Sequence, residues 1–191
     1  MKATTLALAL LTAAASPALA HTGVGATHSF LAGVSHPLLG LDHVLAMAAV
    51  GAWAGLNGGR AVWAWPLAFV GLMVAAALLA LAGVAAPGGE IGIGLSVLVL
   101  GTLVALRLPL TLAAGAAICG AFALFHGHAH GAELPAGAGA GSYVAGFVLA
   151  TAILHAAGVG LGLASGRLVS PWLARAAGGA VALAGVVLLV G

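Results

Sequence analysis

Six stretches of apolar residues, most of them joined by linkers of a few residues, leave this chain very few ways to fold. They run over 37–56, 61–84, 91–106, 109–125, 143–164 and 171–190, near the roughly twenty residues that a helix needs to cross a bilayer. Inside lipid each backbone N–H and C=O must find a partner within the protein, and a helix of this length satisfies its own. Charge is correspondingly scarce: 4% of 191 residues against 63% hydrophobic, where a soluble domain carries about a quarter charged. Eight formally charged side chains cannot cover a water-exposed surface. The expected fold is all-α, a polytopic six-transmembrane-helix bundle whose solvent is the lipid bilayer. Proline opens the first, fourth and sixth segments at Pro37, Pro109 and Pro171, where its missing N–H costs nothing.

Residues 1–20 read as a cleaved signal peptide: a charged start at Lys2, an apolar run over 6–15, and a small-x-small site at Ala18-Leu19-Ala20. The competing reading is a short uncleaved helix. Cleavage leaves a single domain, 21–191, beginning at His21 outside the cytoplasm. The helices then alternate so that Arg60, Arg107, Arg167 and Arg175 all fall on the cytoplasmic side and Glu90 and Glu133 outside, as the positive-inside rule requires. The expected location is the bacterial inner membrane, with the mature N-terminus periplasmic. Five scattered cations exclude nucleic acid as a partner, and the single cysteine, Cys119, excludes an internal disulfide framework. Trp63, Trp65 and Trp172, near segment ends, are expected as interfacial anchors.

Against this background eight histidines stand out. His36-Pro37-Leu38-Leu39-Gly40-Leu41-Asp42-His43 places a carboxylate about 9 Å into the first segment if the helix is straight, where an unpaired ion costs about 2.5 kcal/mol or more. His36 and His43 share a helix face. Gly40 leaves room beside them, and Met47 continues the face of His43 with a thioether. A second cluster, Phe125-His126-Gly127-His128-Ala129-His130-Gly131-Ala132-Glu133, lies where the fourth segment ends. His126 and His130 share a face if helix continues; an extended chain would align all three imidazoles. His155 sits twelve residues into the fifth segment, with Thr151 one turn earlier placed to orient it. His21, at a free N-terminus, adds a further chelating imidazole. Each group has a bland alternative: helix-gluing polar pairs, a solvated loop, a packing histidine. Their staggered depth on one side favours capture and inward passage of an ion. Many imidazoles with few carboxylates suit Zn, Cu, Ni or Co better than Mg or Ca.

At these residues the chain resembles the HupE/UreJ family of nickel and cobalt permeases associated with hydrogenase and urease maturation. The resemblance rests on His36-Pro37, Gly40, Asp42-His43, Met47 and Gly51, then on Phe125-His126-Gly127, His130-Gly131 and Glu133, and on Leu154-His155 with Gly158. It implies Ni²⁺ or Co²⁺ as transported ion, with no permanent cofactor. The metal ligands would come from His36, Asp42, His43, His126, His128, His130, Glu133, His155 and His21, while Gly40, Met47 and Gly51 would serve gating or packing. Two other readings stay open on the residues alone. An intramembrane metal-dependent hydrolase would use His126, His130 and Glu133 to activate water, although no HExxH is present. A haem protein would use His43 and His155 as axial ligands.

Overall fold

A computed structural model describes residues 25–165 and 170–191. The proposed signal peptide, His21 and Arg167 therefore lie outside the described residues. Seven helices are present among them: α1 (Ala26–Leu39), α2 (Leu41–Asn57), α3 (Ala61–Leu81), α4 (Gly89–Leu106), α5 (Leu112–Ala132), α6 (Ala140–Ala164) and α7 (Pro171–Val190). By length and composition α3 to α7 can each cross a membrane. The bent pair α1 and α2 qualifies only jointly.

That bend corrects the first expected segment. Helix starts well before Pro37, which falls inside α1, and the chain turns by 80° between α1 and α2. Pro37 cannot donate to a carbonyl one turn back. Two residues later the helix stops, and Gly40 adopts an extended conformation (φ −82°, ψ 111°) before α2 begins. His36 and His43 are therefore brought together by a corner, not by a shared face of one straight helix.

The fourth segment differs in the opposite sense. Thr111, not Pro109, precedes its first turn, the Thr111 hydroxyl accepting from the Ala114 N–H. Helix then continues through the second histidine cluster to Ala132. No proline interrupts 112–132, and the neighbouring α3 offers a surface for the extension. A Cβ on Gly127 or Gly131 would strike the backbone of Met73 or Ala77, so these glycines let α5 lie directly on α3.

The helices pack most extensively as α3 on α5, α4 on α7, and α1 and α2 along α6. Glycine sets the α2–α6 approach: a Cβ on Gly158 would lie 3.0 Å from the Gly51 Cα and 2.8 Å from the Ala52 nitrogen. The core contains Trp53 and Trp65, whose rings lie 4.2 Å apart. Trp65 is wholly buried and donates its indole N–H to the Leu112 carbonyl, so it is no interfacial anchor. Trp63 and Trp172 are exposed. Alternation of the helices puts the α1–α2 corner, Glu90 and Glu133 at one end of the bundle, and Arg60, Arg107 and Arg175 at the other.

Candidate metal centre

The α1–α2 corner and the last turns of α5 meet at the acidic end. One ring nitrogen from each of His36, His43 and His130 lies within 4.8 Å of the others, a separation that a single bound cation could bridge with small side-chain adjustments. Three elements supply these ligands: α1 His36, α2 His43 and α5 His130. Their rings meet edge to face, with centroids 5.5 Å apart for His36 and His43, 4.7 Å for His36 and His130, and 4.8 Å for His43 and His130. Phe147 of α6 stacks on His130 at 4.6 Å and fixes its plane.

Asp42 stands behind this triad. Its Oδ1 accepts from the His43 backbone N–H at 2.8 Å and meets the His43 Nδ1 at 2.9 Å. With the proton on Nδ1, the Nε2 lone pair is left free, and Nε2 is buried without a partner. A carboxylate holding one ring nitrogen so that the other is presented outward is the second-layer arrangement common around metal-bound histidines. The sequence places Asp42 among the ligands; the structure turns it onto its neighbour. Gly40 permits this, because a Cβ there would lie 2.8 Å from the Asp42 Oδ1 and 3.1 Å from the His43 Nδ1.

His126 is oriented in a similar way. The Ser96 hydroxyl donates its only proton to the Ile93 carbonyl at 2.6 Å, so its oxygen accepts from His126 Nε2 at 2.8 Å. The Nδ1 lone pair of His126 is then free, buried and unpartnered, with its ring 4.8 Å from that of His43. His126 is thus an interior group next to the triad, not one at the rim. His155 lies further along α6 against Phe69, 5.2 Å between centroids, and neither of its nitrogens has a partner. Thr151 does not orient it: that hydroxyl points to the sulfurs of Met47 and Met73.

A cavity of about 540 Å³ opens beside the triad, lined among others by His36, Asp42, His43, Glu90 and Glu133. These three acids are all the Asp and Glu in the chain. Glu133 Oε2 approaches His36 Nε2 at 3.7 Å. Glu90 is a group that motif reading passed over. Its signal was numerical: one of three acids, on the side of the other two.

Not every histidine converges. His128 points away from the triad and its Nε2 meets the Val84 carbonyl at 2.9 Å. Helical geometry is the reason, since 128 lies off the face shared by 126 and 130. His126, His130 and Glu133 form no group of mutually close ligand atoms among the described residues, so the trio suggested for a hydrolase is not assembled. Gly51 packs against the backbone of His155 and Gly158, and Met47 is fully buried one turn beyond His43.

Helices apolar enough to cross a membrane, with imidazoles and every carboxylate toward one end, define a helical membrane protein with a cavity lined by acids and histidines. Comparison with known proteins narrows the class: residues 8–188 match the family model described as HupE / UreJ protein, and the chain belongs to that family. Protein HupE of Rhizobium leguminosarum bv. viciae is 50% identical over 182 residues, covering 95% of each chain. No solved structure matches.

Proposed function

We propose that the chain is a permease that imports Ni²⁺, or Co²⁺, from the periplasm to the cytoplasm, where hydrogenase or urease maturation consumes it. The observation that carries this reading is the gathering of all three carboxylates with His36 and His43 around one cavity, and the buried His130 close enough to both to complete a ligand triad behind it. An ion passing through lipid must exchange its water for protein ligands and have its charge offset. Glu90 and Glu133 raise the local cation concentration at the cavity. His36, beside Glu133, meets the ion first, and His43 and His130 complete the set. Asp42 orients His43 and balances charge. His126, then His155, lie beyond, and His21 adds to capture at the rim. His128 is the least involved.

The arginines at the opposite end support a periplasmic position for the cavity under the positive-inside rule, the side from which an imported ion would enter. In this reading α1 and α2 count as one crossing, giving six, and residues 1–20 are removed as a signal peptide. Imidazole nitrogen suits Ni²⁺ and Co²⁺ over Mg²⁺, and the family resemblance narrows the choice. Uptake of radioactive nickel into proteoliposomes tests the reading. His43→Ala and Asp42→Asn should each lower uptake by about tenfold or more with normal insertion, whereas His128→Ala should change it little. Unchanged uptake in both of the first two variants would remove the triad from the path.

A further inference from the structure

Beyond the triad the buried groups change from nitrogen to sulfur. Helix α6 carries Tyr143, Phe147, Thr151 and His155 at successive turns of one face, all buried. Phe147 lies against His130, so Thr151 stands one turn past the triad and His155 one turn further. On α2, Met47 stands one turn past His43, and α3 brings Met73 to the same level. The Thr151 hydroxyl lies 3.2 Å from the Met47 sulfur and 3.8 Å from the Met73 sulfur. A threonine buried in a helix commonly returns its hydroxyl to a carbonyl one turn back; this one faces two thioethers, which are weak acceptors.

Packing alone does not account for the group. Both methionines are fully buried, where leucine would fill a similar volume. His155 is 2% exposed with both ring nitrogens unpartnered, an arrangement that packing alone disfavours. Two thioethers meeting one hydroxyl, with an unpartnered imidazole one turn further along α6, offer donors that a soft or borderline cation can use and that Mg²⁺ or Mn²⁺ cannot use well.

We propose that Met47, Met73, Thr151 and His155 form a second ion-binding tier for a cation that accepts thioether sulfur together with imidazole nitrogen. It rests on the permease reading and adds to it a sulfur filter through which the ion passes after leaving the triad. Hard cations that reach the cavity through its carboxylates are rejected at this depth.

Silver ion is a suitable probe, being soft and redox-inert in this setting, with Ni²⁺ as the probe of the triad. The full chain is reconstituted in lipid nanodiscs in a Cys119→Ala background, which removes the buried thiol. X-ray absorption at the silver edge and equilibrium binding of both ions are then measured. The tier predicts sulfur neighbours around silver. Met47→Leu with Met73→Leu, a change that conserves volume, should abolish them and weaken silver binding about tenfold or more while Ni²⁺ binding persists. His43→Ala with His130→Ala should do the reverse. Nitrogen and oxygen neighbours alone in the parent protein, or unchanged silver binding in the double leucine variant, would overturn the tier. Sulfur-bound silver in a protein that takes no Ni²⁺ at the triad would support the tier and refute the permease reading instead.

Discussion

Replacing Gly40 with alanine isolates what prepares the triad. Gly40 has φ −82° and ψ 111°, a conformation any residue adopts, so the added methyl introduces no backbone strain and should even restrict the unfolded chain slightly. Its effect is local and steric. The new Cβ would lie 2.8 Å from the Asp42 Oδ1, while ordinary van der Waals contact begins near 3.4 Å, so the carboxylate must retreat by about 0.6 Å. The same Cβ crowds the His43 Nδ1 at 3.1 Å. The 2.9 Å hydrogen bond between these atoms then stretches toward the limit beyond which it is no longer one. Without it His43 loses its fixed tautomer and orientation, and removing such outer partners costs about 10–100-fold in metal affinity, or about 1.4–2.8 kcal/mol. Calorimetry with Ni²⁺ on the protein in nanodiscs reads the loss directly, and thermal unfolding of the same sample should show little change. Wild-type affinity in Gly40→Ala would refute the idea that the Asp42–His43 pair prepares the triad. A large drop in melting temperature would instead assign Gly40 to the packing of the corner.

Further outcomes follow from the same geometry. Glu90→Gln should slow Ni²⁺ uptake at low external concentration and low ionic strength while sparing the rate at saturation, because a rim charge steers encounter more than it holds the ion; equal uptake at every concentration would show that Glu90 does not steer. Gly158→Ala forces apart the backbones of α2 and α6 and should destabilise the bundle by about 1–3 kcal/mol, whereas Gly160→Ala, with nothing within 4 Å of its new Cβ, should leave thermal unfolding unchanged or raise its midpoint slightly. Ni²⁺ binding should weaken on acidification, because a protonated imidazole cannot ligate. Binding that strengthens on acidification would exclude histidine ligands.

Several features were legible in the residues alone. Apolar runs with almost no charge demand helices in lipid, since only internally satisfied backbone survives there. Histidines and acids within such runs demand partners, and His36, His43 and His130 do meet. The conversion of the second cluster from loop to helix was harder to see. His126 to Ala132 contains two glycines, poor helix formers in isolation, and their value appears only when α3 lies against them. Trp65 misled for a related reason: a tryptophan near a segment end suits a membrane interface equally well until Trp53 and the Leu112 carbonyl are in place.

Composition and spacing thus determined the solvent, the helical class and the chemical kind of the site, because each follows from single residues and the medium around them. Partnership was decided in three dimensions. The 80° corner at Gly40, the turning of Asp42 onto His43 instead of into the triad, the outward face of His128 and the approach of Met47 and Met73 to the Thr151 hydroxyl all depend on which helices lie side by side. No local periodicity encodes that, since small residues allow many close approaches and only the packed bundle selects among them.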